Sequence, residues 1–157
     1  MAPQEPFVEQ RPISLRLARR SVQSGRWSAD QWRILGVATS LSEGGLEATL
    51  LDQVATEEGE EFLWDRLPLT LYPDETAFYQ FNLLAETPVL FVVCTPDEET
   101  GLMSPTLLSL SQDEAASAME VDDEVLSVPL PGDIRRWAES YIARVGLPEP
   151  KKKRKRA

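Results

Sequence analysis

Apolar and polar positions alternate in the first half of the chain. Ile13, Leu15 and Leu17 alternate with polar residues within residues 11–20, the period-two pattern of a half-buried β-strand. A turn region is predicted over residues 24–32. Further strands are predicted over residues 31–39, 46–56 and 61–73. Pro68 favours an edge position for the last of these strands, because proline cannot donate a hydrogen bond to a neighbouring strand.

A helix is predicted after Asp74, which is placed to cap it. Its residues Ala77, Phe78, Phe81 and Leu84 form one apolar stripe, the pattern of a helix face that packs against a core. Three more strands are predicted over residues 89–95, 105–111 and 122–131. The strand at 89–95 is apolar on both faces, which predicts a central position in the sheet.

Two further helices are predicted between and after these strands. Ser111 and Glu114 form a capping box for a short helix over residues 112–119. Asp133 begins the last helix, which Gly146 and Pro148 end. Its apolar residues recur at helical spacing: Ile134, Trp137, Tyr141, Ile142 and Val145.

These elements predict a single α+β domain with a mostly antiparallel sheet of about six to seven strands and two or three helices packed on it. The predicted domain covers residues 11–147. A flexible N-terminal lead-in is predicted for residues 1–10, which contain two prolines and no periodicity. Residues 148–157 form a basic C-terminal tail.

Charge is distributed unevenly along the chain. The net charge is −10 over 157 residues, yet all four lysines lie in the tail. Residues 37–134 contain 21 acidic residues and a single basic residue, Arg66. Such an acidic body repels phosphate, so the domain itself is not expected to bind nucleic acid.

The composition also removes several kinds of chemistry. There is no histidine, and Cys94 is the only cysteine, so neither an imidazole base nor a paired-cysteine zinc site is available. Cys94 lies in an apolar run and is predicted to be buried and inert. The acidic clusters at residues 97–99 and 122–124 are interpreted as solvated loops, because neighbouring strand residues point to opposite faces. The chain is therefore predicted to be non-enzymatic, with no cofactor and no metal.

Localisation follows from two absences in the sequence. The first ten residues lack the basic start and apolar run of a signal peptide. The longest strongly apolar stretch, residues 89–94, is far shorter than the roughly 20 residues needed to cross a bilayer. A cytoplasmic protein without a membrane association is predicted.

Aromatic residues have two interpretations, core or partner-binding surface. Core is favoured, because they fall at core-facing positions: Trp27, Trp32, Trp64, Trp137, Tyr72, Tyr79 and Tyr141. Asn82 follows Tyr79 by three residues on the same helix face, so a hydrogen-bonded Tyr79–Asn82 pair that closes the turn at Tyr72 and Pro73 is predicted. A ligand role for Asn82 is left open.

The basic tail has several interpretations. Its six consecutive basic residues are Lys151, Lys152, Lys153, Arg154, Lys155 and Arg156. The run matches a monopartite nuclear import signal, and it also suits a nucleic-acid hook, a membrane anchor or a solvated segment held over the acidic body. Docking to an acidic partner or to the chain's own body is favoured. Membrane anchoring would need a second signal, and none is evident.

Several phrases together resemble a bacterial family of unknown function, DUF3305. They include PISLRLARR, WSADQWRILGV, LYPDETAFYQFNL, ETPVLFVV and VLSVPLPGDIRRW, and they span about residues 12–156. The most specific part is an L-Y-x-D-E…Y-x-x-N-L pattern. It is carried by Leu71, Tyr72, Asp74, Glu75, Tyr79, Asn82 and Leu83. A K-R-K-R ending matches residues 153–156, whereas the Glu-rich segment 57–61 and the two preceding lysines depart from the family pattern.

The resemblance implies a bacterial cytoplasmic protein without an assigned activity. Its relatives tend to be encoded beside molybdenum-dependent formate dehydrogenase and iron–sulfur components. We therefore expect a non-catalytic accessory or assembly protein, whose partner is a redox-enzyme subunit or maturation factor. The contact would use the Tyr72–Asn82 segment or the tail. The alternative is a nucleic-acid-associated or regulatory protein that uses the tail as an electrostatic hook.

Overall fold

A long antiparallel hairpin opens the fold of residues 7–148, the part of the chain that the computed structural model describes. Strand β1 (Glu9–Ser24) pairs with β2 (Trp27–Thr39) across a two-residue turn in which Gly25 has a φ of 61°. The predicted turn region 24–32 is wrong, because pairing continues to Ser24 opposite Trp27. Polar cross-strand contacts support this end of the hairpin, such as Arg19 with Asp30 at 3.1 Å. Apolar periodicity cannot reveal such a strand.

The second hairpin joins β3 (Thr49–Ala55) to β4 (Gly59–Leu71). The edge position predicted from Pro68 is wrong, because β4 pairs with β1 on one side and with both β3 and β6 on the other. Pro68 itself lies between the two segments of β4 that pair with β3 and β6. Its missing N–H therefore falls where β4 changes partners on that side.

The second half alternates helices and strands. A 3-10 turn (Pro73–Glu75) leads directly into α1. The remaining elements are α1 (Thr76–Leu83), β5 (Val89–Pro96), β6 (Met103–Ser109), α2 (Gln112–Ala118), β7 (Glu124–Pro129) and α3 (Gly132–Val145). Between residues 7 and 148, no helix has the length and apolarity needed to cross a bilayer.

The seven strands form one sheet in the order β2-β1-β4-β6-β5-β7, with β3 added to β4. Every pairing is antiparallel except that of β4 with β6. The two ends of this order, β2 and β7, approach each other, so the sheet is nearly barrel-shaped. The predicted single-domain α+β fold with a mostly antiparallel sheet is confirmed.

The main core lies where α1 and α3 pack on one face of the sheet. It contains fully buried residues from four strands and both helices: Ile13, Leu15, Leu69, Leu71, Leu90, Val92, Leu108, Tyr79, Ile134, Ala138 and Tyr141. A second cluster of Leu17, Trp32 and Phe62 supports the first hairpin. In this cluster the rings of Trp32 and Phe62 stack at 5.6 Å. Burial of this apolar surface is the main stabilising contribution to the fold.

Glu9 connects the start of the chain to the last helix. Its carboxylate accepts hydrogen bonds from Trp137 Nε1 at 2.9 Å and from Arg144 at 2.6 Å. Strand pairing also begins at Glu9, which lies inside the lead-in predicted for residues 1–10. The hydrogen bond from Arg144 is the largest cause that lowers the pKa of Glu9.

The predicted aromatic core holds only in part. Trp32, Trp137, Tyr79 and Tyr141 are buried, as predicted. Trp27 is 82% exposed, because it lies at the tip of the first hairpin, beyond both hydrophobic clusters. Of the remaining two residues, Trp64 is partly buried and Tyr72 is 36% exposed.

Candidate functional site

Helix α1 is oriented opposite to the prediction. The stripe predicted to pack on the core faces solvent, with Phe78 42%, Phe81 75% and Leu84 79% exposed. The buried side instead contains Tyr79 and Asn82, together with Thr76 and Leu83. Both sides of α1 carry apolar residues, so apolarity alone does not orient the helix. Hydrogen bonds from its polar side chains explain the observed choice.

Tyr79 closes the turn that precedes α1. The backbone N–H of Tyr72 donates to the Tyr79 hydroxyl at 2.9 Å. The Tyr79 side chain is fully buried and packs edge-on against Tyr141, with ring centroids 6.5 Å apart. Burial strongly raises the pKa of Tyr79, so the phenol stays protonated and can also donate. Tyr79 therefore bonds at the Tyr72 turn by itself, where a hydrogen-bonded Tyr79–Asn82 pair was predicted.

Asn82 does not bond to Tyr79; its side chain joins the ends of two strands. Its Nδ2 donates to the carbonyl of Val89 at 2.7 Å and to that of Leu110 at 3.0 Å. Its Oδ1 accepts from the Val89 N–H at 3.0 Å. The predicted Tyr79–Asn82 pair is wrong, because the Asn82 amide bonds to the backbone at the start of β5 and the end of β6 instead. With both amide hydrogens bonded to backbone carbonyls, Asn82 has a structural role.

Glu75 joins the start of α1 to the start of α2. The hydroxyl of Ser111, which is fully buried, donates to the Glu75 carboxylate at 2.9 Å. The same hydroxyl accepts from the Glu114 N–H at 3.1 Å, so Ser111 is the N-cap of α2 as predicted. Asp74, the neighbouring residue of the family pattern, is exposed, and its predicted capping role is wrong because α1 begins without a side-chain cap.

The second half of the predicted capping box is wrong. The Glu114 carboxylate accepts from the hydroxyl of Ser109 at 2.5 Å instead of from the Ser111 N–H. The Ser111 N–H donates to the Ser109 hydroxyl at 2.9 Å. The Ser109 hydroxyl is thus bonded to both the Ser111 N–H and the Glu114 carboxylate, the two groups that a capping box would join directly. The Glu114 side chain therefore turns toward the sheet.

Burial is the main cause that raises the pKa values of both Glu75 and Glu114. Neighbouring carboxylates add to this effect, with Asp74 and Asp113 acting on Glu75. The serine hydroxyls oppose it by donating to the charged forms. The two carboxyl groups can therefore take up protons at pH values above the usual range for glutamate. This makes the junction of α1 and α2 sensitive to pH.

The exposed side of α1 lines an apolar groove of about 740 Å³. We call it the α1–α2 groove; its walls and floor come from α1, the α1–β5 loop, β5 and α2. It is lined by Ala77, Phe78, Phe81, Asn82, Ala85, Thr87, Val89, Phe91, Gln112, Asp113 and Ala116. Its volume lies within the range of ligand-binding clefts. It is open to solvent, as the exposure of Phe81 shows.

The floor of the groove is the outer face of β5. Leu90 and Val92 point into the main core, and side chains of a strand alternate between its faces. Val89 and Phe91 therefore lie on the opposite face, where they line the groove. The double-sided apolarity of residues 89–95 correctly predicted a central strand, between β6 and β7. Its outer face remains partly exposed at Phe91.

The acidic clusters have local structural roles. The Asp97 carboxylate accepts the N–H groups of Glu99 and Thr100 at 2.8 and 3.0 Å, which shapes the loop after β5. The Asp123 carboxylate accepts the Glu120 N–H at 3.0 Å. In the described part of the chain, no group of three or more Cys, Asp or Glu side chains is placed to hold a metal ion.

The tail predicted as a partner-binding element, Lys151 to Arg156, lies outside the described residues. Of the two predicted contact regions, the structure therefore describes only the Tyr72–Asn82 segment. That segment supplies one wall of the groove through Phe78 and Phe81, together with Asn82 of the family pattern. The spacing of Phe78 and Phe81 is that of a core face, so the sequence did not predict their exposure. The sequence did contain one signal for the observed orientation of α1. Thr76, Tyr79 and Asn82 are spaced to share one helix face, and their polar groups require hydrogen-bond partners when buried.

A family model described as "Protein of unknown function (DUF3305)" matches residues 15–155. The match covers nearly the whole chain and confirms the resemblance seen in the sequence. No curated protein and no solved structure matches the chain.

Proposed function

The chain belongs to the DUF3305 family, and on that premise we propose that it is a non-catalytic accessory or assembly protein that binds a protein partner through the α1–α2 groove. One observation carries this proposal. Helix α1 turns Phe78 and Phe81 to solvent, beside the apolar outer face of β5. Contiguous exposed apolar surface of this kind is typical of interaction sites.

The energetics favour a protein contact at this surface. Fully burying a Phe or Leu side chain contributes about 1.5–3 kcal/mol. Phe81, which lines the groove, is 75% exposed, so most of that contribution is available to a partner. Aromatic side chains are also enriched among the residues that dominate binding energy in protein interfaces.

The non-catalytic part of the proposal is supported by composition and by the contacts of the polar residues. The chain contains no histidine and a single, buried cysteine. Burial raises the pKa of the Cys94 thiol to about 12, which suppresses the reactive thiolate. Asn82, which lines the groove, and Glu75, in the turn before α1, form hydrogen bonds that hold secondary-structure elements together.

The expected partner is a subunit or maturation factor of a molybdenum-dependent formate dehydrogenase or another iron–sulfur enzyme, as the family resemblance implies. Affinity capture from the native host tests this, with wild-type chain, the Phe81→Ser variant and a chain lacking residues 149–157. We expect an oxidoreductase subunit or maturation protein with the wild type and its loss with Phe81→Ser. Recovery of no such protein would contradict the proposal.

The tail-deleted chain tests the alternative function, a nucleic-acid hook. Six basic residues bound to phosphates give a log–log salt slope of about −5. Nucleic acid bound by the full chain with that slope, and not by the tail-deleted chain, would support the hook instead. The acidic composition of residues 37–134 opposes such binding by the domain.

A further inference from the structure

We infer that the α1–α2 groove binds a basic amphipathic helix of the partner. Its apolar side chains would contact Phe78, Phe81 and Phe91, and its lysine or arginine residues would lie over the acidic surroundings of the groove. This inference rests on the proposed function, since it names the chemistry of the segment that the partner contributes.

Strand pairing cannot supply the contact. The floor of the groove is β5, whose backbone is already hydrogen-bonded to β6 on one side and to β7 on the other. An extended peptide adds to a sheet only at an unpaired strand edge. The bound segment must therefore be held by its side chains, inserted between the aromatic rings of α1 and β5.

The dimensions of the groove suit a helix. Its α1 wall has eight residues, which at 1.5 Å rise per residue extend about 12 Å. A bound helix running along it presents apolar side chains at positions i, i+3 or i+4, and i+7 over that length. The groove is open along its solvent side, where Phe81 is 75% exposed, so it admits a chain segment instead of enclosing a small molecule.

Charge complementarity makes the bound helix basic. Residues 67–134, which contain every wall of the groove, include 13 acidic residues and no basic residue. Asp113 lines the groove, and Glu86 is exposed in the loop between Ala85 and Thr87, which also line it. From α3, Arg135 approaches the end of α1, but its guanidinium donates to the Leu83 carbonyl at 3.4 Å and pairs with Glu139. The electrostatic field at the groove is therefore negative.

Two other occupants fit less well. A second copy of the chain docked groove to groove would bring the same acidic residues to the contact, and like charges disfavour that arrangement. The chain's own residues 149–157 are basic but contain only Pro and Ala as apolar residues, so they offer no bulky side chain for the space between the rings. The helix is therefore expected to come from another protein.

The inference is tested by selecting binders to the full-length chain from a display library of 16-residue helical segments. Segments that also bind the Phe81→Ser variant are removed by counter-selection. Leu41→Ser is the matched control, because Leu41 is equally apolar, 97% exposed and outside the groove. The expected winners carry apolar residues at helical spacing and a net positive charge. We expect about tenfold weaker binding of a winning peptide to Phe81→Ser, unchanged binding to Leu41→Ser, and weaker binding as salt rises.

Enrichment of neutral or acidic segments, or equal binding of a charge-reversed peptide, would overturn the inference. Enrichment only after residues 149–157 are removed would also overturn it, because that result would assign the groove to the tail. When the winning peptide binds, the changes in amide NMR chemical shifts must map to α1, β5 and α2. Changes that map elsewhere also reject the inference. Affinity capture that depends on Phe81 together with a failed peptide selection would leave the proposed function standing and reject only the helical, basic partner.

Discussion

The Ser111 hydroxyl donates a hydrogen bond to the Glu75 carboxylate at 2.9 Å, and this contact joins the turn before α1 to the N-cap of α2. The two helices form opposite walls of the α1–α2 groove. A single buried hydroxyl, acting also as the N-cap of α2, thus helps to set the separation of the two walls.

Ser111→Ala removes both of these hydrogen bonds. Loss of an N-cap costs about 1 kcal/mol, and a carboxylate left without its buried donor adds to that cost. We expect the free energy of unfolding to fall by about 1–3 kcal/mol, measured by urea denaturation. Ser117→Ala, an exposed position in the same helix, is the control and should change stability by less than about 0.5 kcal/mol. Equal effects of the two variants would contradict the assigned role of Ser111.

Glu75 and Glu114 predict an unusual pH dependence of stability. Because burial raises their pKa values, the folded protein binds these protons more tightly than the unfolded chain does. Their ionised forms therefore reduce stability at neutral pH, and this penalty disappears as pH falls from the raised folded value toward 4.5. The Glu75→Gln and Glu114→Gln variants should exceed wild-type stability at neutral pH, with a difference that shrinks on acidification.

Asp133→Asn supplies the opposite control for that experiment. The hydrogen bond from Thr39, at 2.7 Å, is the main cause that lowers the pKa of Asp133. Its stabilising effect is present at neutral pH and is lost as pH falls through the folded value. Asp133→Asn should therefore be less stable than wild type at neutral pH. Parallel pH profiles for all variants would refute these assignments.

Tyr79→Phe separates the hydrogen bond of Tyr79 from the packing of its ring. The substitution keeps the buried ring but leaves the Tyr72 N–H without its acceptor. A loss of about 1–2 kcal/mol is expected in chemical denaturation. Tyr72→Phe keeps the backbone N–H and alters a ring that is 36% exposed, so its effect should be near zero. A neutral Tyr79→Phe would show that the turn does not need this bond.

Asn82→Ala should be strongly destabilising. It removes three hydrogen bonds that hold Val89 and Leu110, at roughly 1 kcal/mol each, for a total of about 2–4 kcal/mol. Hydrogen exchange of the Val89 amide should accelerate at the same time. Gln80→Ala, two residues earlier, serves as the control and should leave that exchange rate unchanged.

Cys94 should resist thiol reagents in the folded protein. Its side chain is fully buried, and burial raises the pKa of the thiol to about 12. Modification with a disulfide reagent near pH 8 should be at least about 100-fold slower in native than in denaturing buffer, since the thiolate is the reactive form. Rapid modification of native protein would show that β5 opens readily.

Sequence patterns predicted the strands and helices where apolar spacing and local capping agree. Residues 11–20 and 89–95 alternate or continue in a way that only buried strands explain, and Ser111 caps α2 through a contact three residues away. The extension of β1 and β2 to Ser24 and Trp27 escaped prediction, because polar cross-strand pairs stabilise it.

Hydrophobic periodicity, capping residues and charge thus determined an α+β domain with an acidic body. The face of α1 that became buried depended on tertiary structure. Both faces of that helix are apolar, so the hydrophobic effect, which is non-directional, favours neither one. Hydrogen bonds are directional, and Tyr79 and Asn82 find their partners only where the Tyr72 turn, β5 and the end of β6 meet. Their burial turns Phe78 and Phe81 outward and creates the groove.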